Sequence, residues 1–460
     1  MESGQKTSAA ANENETRVSA AAGSSDYVYC GDSAGYASVI GYATEWVLMK
    51  KSDLINVACV HVCLCAAGMA HAGPYPAQTG ISAAADDARV AGNNPAAMTL
   101  LDSRQYRVGL ATFFSDSTFA GQIGNTGITF DSQSDSVTLI PSFSFVQPFK
   151  EDWRFGFTVL GMGFSEDYGE DWAARYLVQE YTLITLTAFP SIAKKVTDKL
   201  SLAGSLMLSY TLFEQQKAVL NLPPGSADGE MLLDVDGTTV GFSASMLYEF
   251  NDRTRFGAVY RSELNPDLDG SLEFSGLTPT TESLLQAAGV LDAQPTATSR
   301  TPQSINFGIY HEFASTSAIT MDVVWIDFSE FLLTEIYLDG SQLLPTDPTY
   351  EDFFAFSIGY HRPLSERTRI GFGAFITGDM IKDDNRTMML RLDALWSVGV
   401  GIEWQWTDTR SLNVNLNYME FGDAPTTSPD IPGFGSISGK YTDRGIIFLD
   451  VSISWQSKGK

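Results

Sequence analysis

The sequence predicts an all-β fold, an antiparallel transmembrane β-barrel of about 14 strands. Three observations lead to it. From Arg104 to Trp455 apolar and polar residues alternate in bursts of strand length. The connections between bursts are alternately short and long, as in single-chain outer-membrane barrels, which keep tight turns on the periplasmic rim and longer loops outside. The third observation is an oily face that ends in aromatics. Side chains on a strand point alternately to its two surfaces. Trp396, Val398, Val400, Ile402, Trp404 and Trp406 therefore share one face, and Ser397, Gly399, Gly401, Glu403 and Gln405 the other. The bursts Leu412 to Tyr418 and Ile447 to Trp455 repeat the pattern, against Asn413, Asn415 and Asn417 and against Asp450, Ser452 and Ser454. Unpaired carboxylates and amides cannot face hydrocarbon, so the polar set lines the lumen. The terminal Trp and Tyr rings mark headgroup depth.

Residues 1–48 are polar, rich in Ser, Ala and Asn, and without periodicity. Met49-Lys50-Lys51 then opens a basic region, Leu54 to Ala67 is largely apolar, and Ala70-His71-Ala72 is a small-x-small cleavage site before Gly73. Residues 49–72 thus read as a secretory signal peptide. The simplest account starts translation at Met49 and leaves 1–48 outside the mature protein; the other is a genuine extension. Cys30, Cys59, Cys63 and Cys65 all precede the cleavage site. A cysteine-free mature chain suits a barrel closed by its own hydrogen bonds. Beyond the signal, no run approaches the roughly twenty apolar residues that a spanning helix needs.

The barrel is expected over 104–460. Its short turns are Lys150 to Asp152, Val196 to Lys199, Asn251 to Thr254, Ala314 to Ser317, Leu364 to Arg367 and Thr407 to Arg410. Ser115 to Ser134, Ser165 to Glu180, Gly276 to Arg300 and Phe421 to Gly439 read as loops. A formal net charge of −26 over 460 residues excludes a nucleic-acid surface, which needs clustered basic residues. Acidic loops suit instead a surface bathed in divalent cations, compatible with lipopolysaccharide.

Several motifs, in order, resemble those of the FadL/TodX family of outer-membrane transporters for long-chain fatty acids and other hydrophobic compounds. They are Asn94-Pro95-Ala96-Ala97-Met98-Thr99, Asp171-Trp172-Ala173-Ala174-Arg175-Tyr176, Pro190-Ser191-Ile192-Ala193, Val323 to Ser329, and Asp384-Asn385-Arg386-Thr387 with Leu392-Asp393 and Trp396. The resemblance implies a small hatch inside the lumen, here 73–103 with Asn94, Pro95 and Ala96 at its motif. It also implies an inward kink in the third strand that opens a lateral path. The third burst is Trp153 to Phe164, and Gly161, Gly163 and Phe164 lie near its outer end. The two glycines admit either a kink or ordinary close packing. Family likeness further places first capture between two external loops, here Leu220 to Met231 and Gly276 to Arg300. Leu220 and Leu222 fall in the first. Leu284, Leu285, Ala288 and Leu291 recur at helical spacing in the second, forming either a capture face or one packed on the rim. A short hatch and a brief third loop depart from the family pattern, as does the tail after Trp455, since such barrels usually end on an aromatic that assembly machinery reads.

The expected function is passive uptake of hydrophobic compounds, whether fatty acid, alkane or aromatic hydrocarbon, by a protein of the Gram-negative outer membrane. The expected partners are a hydrophobic or lipid ligand, outer-membrane lipid and lipopolysaccharide, and the barrel-assembly machinery. No catalytic set, metal or cofactor is expected. Past the signal the only histidines are His311 and His361, each beside a short turn, where a structural role at the headgroup boundary is expected, and no Gly-x-Ser-x-Gly elbow occurs. A general diffusion porin for small polar solutes is the alternative.

Overall fold

The computed structural model describes residues 76–460 apart from 125–127, 339–340, 343–349, 387, 389–391, 429–434, 443 and 458–460, and all of them belong to one compact unit. The extension and the signal peptide, which between them hold all four cysteines, the first residues of the expected hatch and Thr387 of the late motif lie outside the described residues.

Six long strands come first: β1 (Gln105–Ile123), β2 (Ile128–Lys150), β3 (Trp153–Asp167), β4 (Glu180–Lys195), β5 (Leu200–Val219) and β6 (Gly229–Asn251). The next staves are broken near their outer ends, as β7 (Thr254–Arg261) with β8 (Asp267–Ser275), β9 (Pro295–Arg300) with β10 (Ser304–Glu312), and β11 (Ala318–Ile326) with β12 (Leu332–Leu338) and the short β13 (Ser341–Gln342). β14 (Phe353–Ser365), β15 (Thr368–Thr377) and β16 (Leu395–Thr407) follow. The wall ends with β17 (Arg410–Phe421) and β18 (Ala424–Thr427), then β19 (Ile437–Thr442) and β20 (Gly445–Gln456). All pair antiparallel. Val108 of β1 faces Phe143 of β2 on one side and Ile453 of β20 on the other, so the sheet closes on itself as a 14-strand barrel. Closing the ring removes the two free edges that an open sheet would show to lipid.

The expected short turns all fall on one rim, and the long connections on the other. One expected loop is largely strand and two others contain short strands. Ser115 to Ser134 is a hairpin that carries β1 and β2 out to Ile123↔Ile128, while β9 and β18–β19 occupy parts of the other two. These segments stand beyond the bilayer, where no lipid face imposes alternation, so composition alone suggested coil. Strands of 20 and 23 residues in β5 and β6 also exceed the roughly 9–11 that a membrane needs.

Alternation behaves as expected. Leu206, Val240, Phe242, Phe354 and Ile376 are exposed on the outside, whereas Asn413, Asn415, Ser452 and Asp450 are buried inside. Trp396 packs on Tyr418 at the outer level, and Trp404 lies eight positions further down the same strand. At about 3.4 Å per residue and a tilt near 40°, that separation is roughly 21 Å of height, close to the ~25 Å of an outer-membrane apolar band. Trp455 stacked on Tyr106, with centroids 5.2 Å apart, belongs to the inner girdle. No described helix is long and apolar enough to cross a membrane.

Candidate functional site

Residues 76–101 fold inside the barrel. They form a turn, α1 (Val90–Asn93) and a 3-10 helix over Pro95–Leu100, nearly all of it buried. Asn94 explains the Asn-Pro-Ala motif. Its side-chain oxygen accepts from the Ala96 amide at 3.1 Å, and its Nδ2 donates to the carbonyls of Ser82 at 2.6 Å and Met246 at 3.1 Å. One amide thus caps the helix, closes the segment on itself and ties it to β6, while Pro95 sits at the first helical position, where a missing N–H costs nothing. The Ala96 amide also donates to Ser245 Oγ at 3.1 Å.

Wall side chains hold the rest of this segment by its backbone. Asp322 on β11 accepts from the amides of Gly80 at 2.6 Å and Ser82 at 3.0 Å, and Asn417 on β17 from that of Ala77 at 2.6 Å. Arg255 and Arg261 on β7 donate to the carbonyls of Ala83, Gly92 and Asn93. Ala77 and Gln78 take φ of +52° and +55°, a left-handed turn fixed by these anchors. Space for it comes from inward-facing glycines. A Cβ at Gly359 would lie 2.5 Å from Thr79 Oγ1, and one at Gly257, Gly308 or Gly399 would strike Ser82, Ser82 or Pro76. Alternation had put Gly399 on the lumen face, but no sequence pattern revealed that these glycines make room together, because that follows from the register alone.

The wall is interrupted beside β3. Its pairing with β2 runs from Lys150↔Trp153 to Ser142↔Leu160 and stops, while its pairing with β4 continues to Asp167↔Glu180. Gly161 lies opposite Leu186 of β4, which is exposed on the outer face. Ile140 of β2 lies opposite Ala111 of β1, which is buried on the inner face. Yet a Cβ on Gly161 would be 3.0 Å from Ile140 Cγ2. The outer side of one strand can meet an inward side chain of its neighbour only where β3 has stepped inside β2. Gly163 presses on β4, its Cβ position 2.7 Å from the Leu183 carbonyl oxygen, and Phe164 lies opposite Leu183. Pro141, the first residue past the last pair, has no N–H to offer a neighbour. Farther out Ser134 Oγ donates to Glu166 Oε2 at 2.7 Å and to the Asp167 carbonyl, so the gap is a bounded window.

Above it, residues 168–179 fold over the mouth and place Trp172 among inward-facing rings. Trp172 stacks on Tyr168, with centroids 5.0 Å apart, and meets Phe119 edge-on at 5.1 Å and Phe130 at 5.8 Å. Tyr181, Leu183, Phe213, Met388 and Tyr441 continue this apolar lining. Burial, then the nearby Tyr441 and Tyr181, hold the Tyr168 phenol well above its ordinary pKa. Arg175 anchors the loop by bonding Asp228 at 2.9 Å, the Trp172 carbonyl at 3.2 Å and the Tyr176 hydroxyl at 2.9 Å. Burial and the bond to Asp228 raise the Tyr176 pKa. The late motif is a clamp as well: Arg386 bonds the Leu392 carbonyl at 2.9 Å and pairs with Asp393 at 3.2 Å.

The two proposed capture loops are laced together. The Leu222 amide donates to Thr281 Oγ1 at 2.9 Å, Thr278 Oγ1 to the Leu222 carbonyl at 2.6 Å, and Asn221 Nδ2 to the Gly276 carbonyl at 2.9 Å. The amphipathic helix is present as α2 (Pro279–Ala287), capped by Thr278. Leu284 and Ala288 are exposed and Leu285 and Leu291 half-buried, so this face is not packed on the rim. Leu220 is exposed and Leu222 half-buried. His311 fits the expected boundary position, its Nδ1 2.9 Å from Thr254 Oγ1. His361 does not: strand parity turns it into the lumen, buried against Tyr310 with centroids 6.1 Å apart.

A closed antiparallel barrel with an apolar outer band, a lumen filled from its own N-terminal side and an aromatic mouth beside a window in the wall defines a transport barrel of the outer membrane. The chain belongs to the outer membrane transport protein family OMPP1/FadL/TodX, whose profile matches residues 63–449. This is a family of transport proteins rather than enzymes. A long-chain fatty acid transport protein of Escherichia coli O6:H1 is 24% identical over 377 residues, 75% of this chain and 83% of that one. Outer membrane protein P1 of Haemophilus influenzae is 20% identical over 390 residues, with 75% and 83% covered. The crystal structure of a Pseudomonas aeruginosa FadL homologue superposes with a TM-score of 0.73 at 19% identity, covering 85% of this chain and 99% of that one. The P. putida toluene transporter TodX gives 0.61 at 16% identity, covering 83% and 97%.

Proposed function

We propose that the protein takes up hydrophobic compounds passively, by capture at the external loops, passage through the aromatic mouth and lateral exit through the window between β2 and β3. The observation that carries this reading is the step of β3 inside β2, with Ile140 against Gly161. An apolar solute gains about 0.8 kcal/mol for each methylene it buries, so the exposed Leu284 of α2, its half-buried neighbour Leu285 and the rings around Trp172 suit its capture. Lateral exit delivers it to hydrocarbon and spares it the aqueous periplasm. Residues 76–101 act as the hatch, with Asn94, Pro95 and Ala96 as its hinge against β6. Gly161, Gly163 and Phe164 form the lip of the window. Relatives named for fatty acid and for toluene both support a hydrophobic cargo. Lipopolysaccharide around the acidic loops and the barrel-assembly machinery are proposed partners.

A general porin would need an open aqueous lumen, and the buried inner segment argues against one. The test is uptake into liposomes. The protein is expected to pass small sugars poorly and to give saturable uptake of a fatty acid or an alkylbenzene. Ready conduction of sugars with no saturable apolar uptake would replace this reading with the porin one.

A further inference from the structure

Trp172 is 1% exposed, yet its indole Nε1 has no hydrogen-bond partner among the described residues. A buried tryptophan ordinarily finds one, because burying a donor unsatisfied costs about 1–3 kcal/mol. The neighbours seen here explain why none is available: Tyr168 covers one face, and Phe119 and Phe130 meet the ring system at interplanar angles of 88° and 75°. Phenylalanine offers no acceptor. The indole is nonetheless held in place, since the Trp172 carbonyl receives Arg175 Nη1, and Arg175 is fixed by Asp228. The hydroxyls of Tyr168 and Tyr441 in the same lining are turned to the Met388 carbonyl, so the described donor left for a ligand that enters is the indole N–H. The loop that carries Trp172 joins β3 to β4, directly above the window.

We propose that Trp172 is a specificity-determining residue, whose indole N–H receives the acceptor oxygen of an otherwise apolar ligand and so favours carbonyl- or carboxyl-bearing compounds over plain hydrocarbons of the same length. This rests on the uptake reading above and names the ligand chemistry that the mouth selects. A hydrocarbon gains the same apolar contacts but leaves the N–H unmet. An ester or acid gains those contacts and relieves the donor.

The test compares methyl decanoate with n-undecane in nanodiscs that carry the full protein, by their partition relative to empty nanodiscs. Trp172→Phe keeps a stacking ring and removes the N–H. It is expected to bind methyl decanoate about five-fold more weakly and undecane unchanged, the fold-change of one neutral hydrogen bond. In the wild-type protein labelled with 15N-tryptophan, the Trp172 indole proton should move downfield with methyl decanoate and stay put with undecane. That second reading holds even if the variant fails to assemble. Equal binding of both compounds by wild type and variant would overturn the proposal while leaving uptake standing. So would an indole proton already shifted upfield by a ring and insensitive to ligand, which would mean that Phe119 or Phe130 satisfies it. Failure of wild type to bind either compound would overturn both the proposal and the uptake reading.

Discussion

The carboxylate of Asp322 faces backbone amides rather than a cation, and it holds the inner segment where the chain turns at Gly80 and Ser82. Hydrogen bonds to an ionised acceptor are worth more than neutral ones, so Asp322→Ala should cost about 2 kcal/mol of local docking. Hydrogen exchange should show amides 79–83 losing roughly 30-fold of their protection, with the barrel strands unchanged. Equal protection in the variant would mean that the segment is held elsewhere. The sequence singled out Asn94, Pro95 and Ala96, because proline and its neighbour carry a local geometric signal. Asp322, Asn417 and the wall glycines carried none. Each is an ordinary inward residue on its own strand, and its role follows from what another part of the chain brings against it.

At the scale of elements, the irregular pairing of β2 and β3 decides more than any single glycine. Were their register continued past Ser142↔Leu160, residue 140 would lie opposite 162, and positions 140 and 161 would point to opposite faces. In the stepped arrangement they touch. Ile140→Cys with Gly161→Cys should therefore form a disulfide under mild oxidation, since the side-chain positions fall within bridging distance. The bridge should close the window, suppress uptake of an apolar compound several-fold and release it on reduction. No cross-link would show that β3 does not step inward. The glycines drew the reading to the third strand, whereas Pro141 on the neighbouring strand, the first residue past the last pair, was passed over. α2 was legible because helical spacing survives in a short loop. The outer hairpin of β1 and β2 was not, since its Ser and Asp residues are polar on both faces and leave no period to detect.

Over the whole molecule, the outer surface must suit lipid and the ring must stay closed. Val400 lies on the bilayer face opposite Phe372 and Leu416, and an Arg there should cost about 2–4 kcal/mol near mid-bilayer, lowering the yield of heat-modifiable barrel. Closure poses a separate demand, because β1 and β20 meet without a turn between them. Here the inner segment intervenes. Asp87 lies 3.7 Å from Arg107 of β1 and accepts from Ser454 Oγ of β20 at 3.0 Å, while Arg107 also pairs with Asp450 of β20 at 3.3 Å. A single carboxylate from inside the lumen thus spans the seam. Removing one member of a buried ion pair costs about 3–5 kcal/mol, chiefly through the charge it leaves behind. Asp87→Ala should therefore lower the temperature at which the folded band converts to the unfolded one on a gel. Asp322→Ala should lower it less, because it frees the inner segment from a strand held on both sides by its neighbours. If the two variants convert at the same temperature, the inner segment contributes nothing special to closure, and the seam is held by its backbone pairing alone.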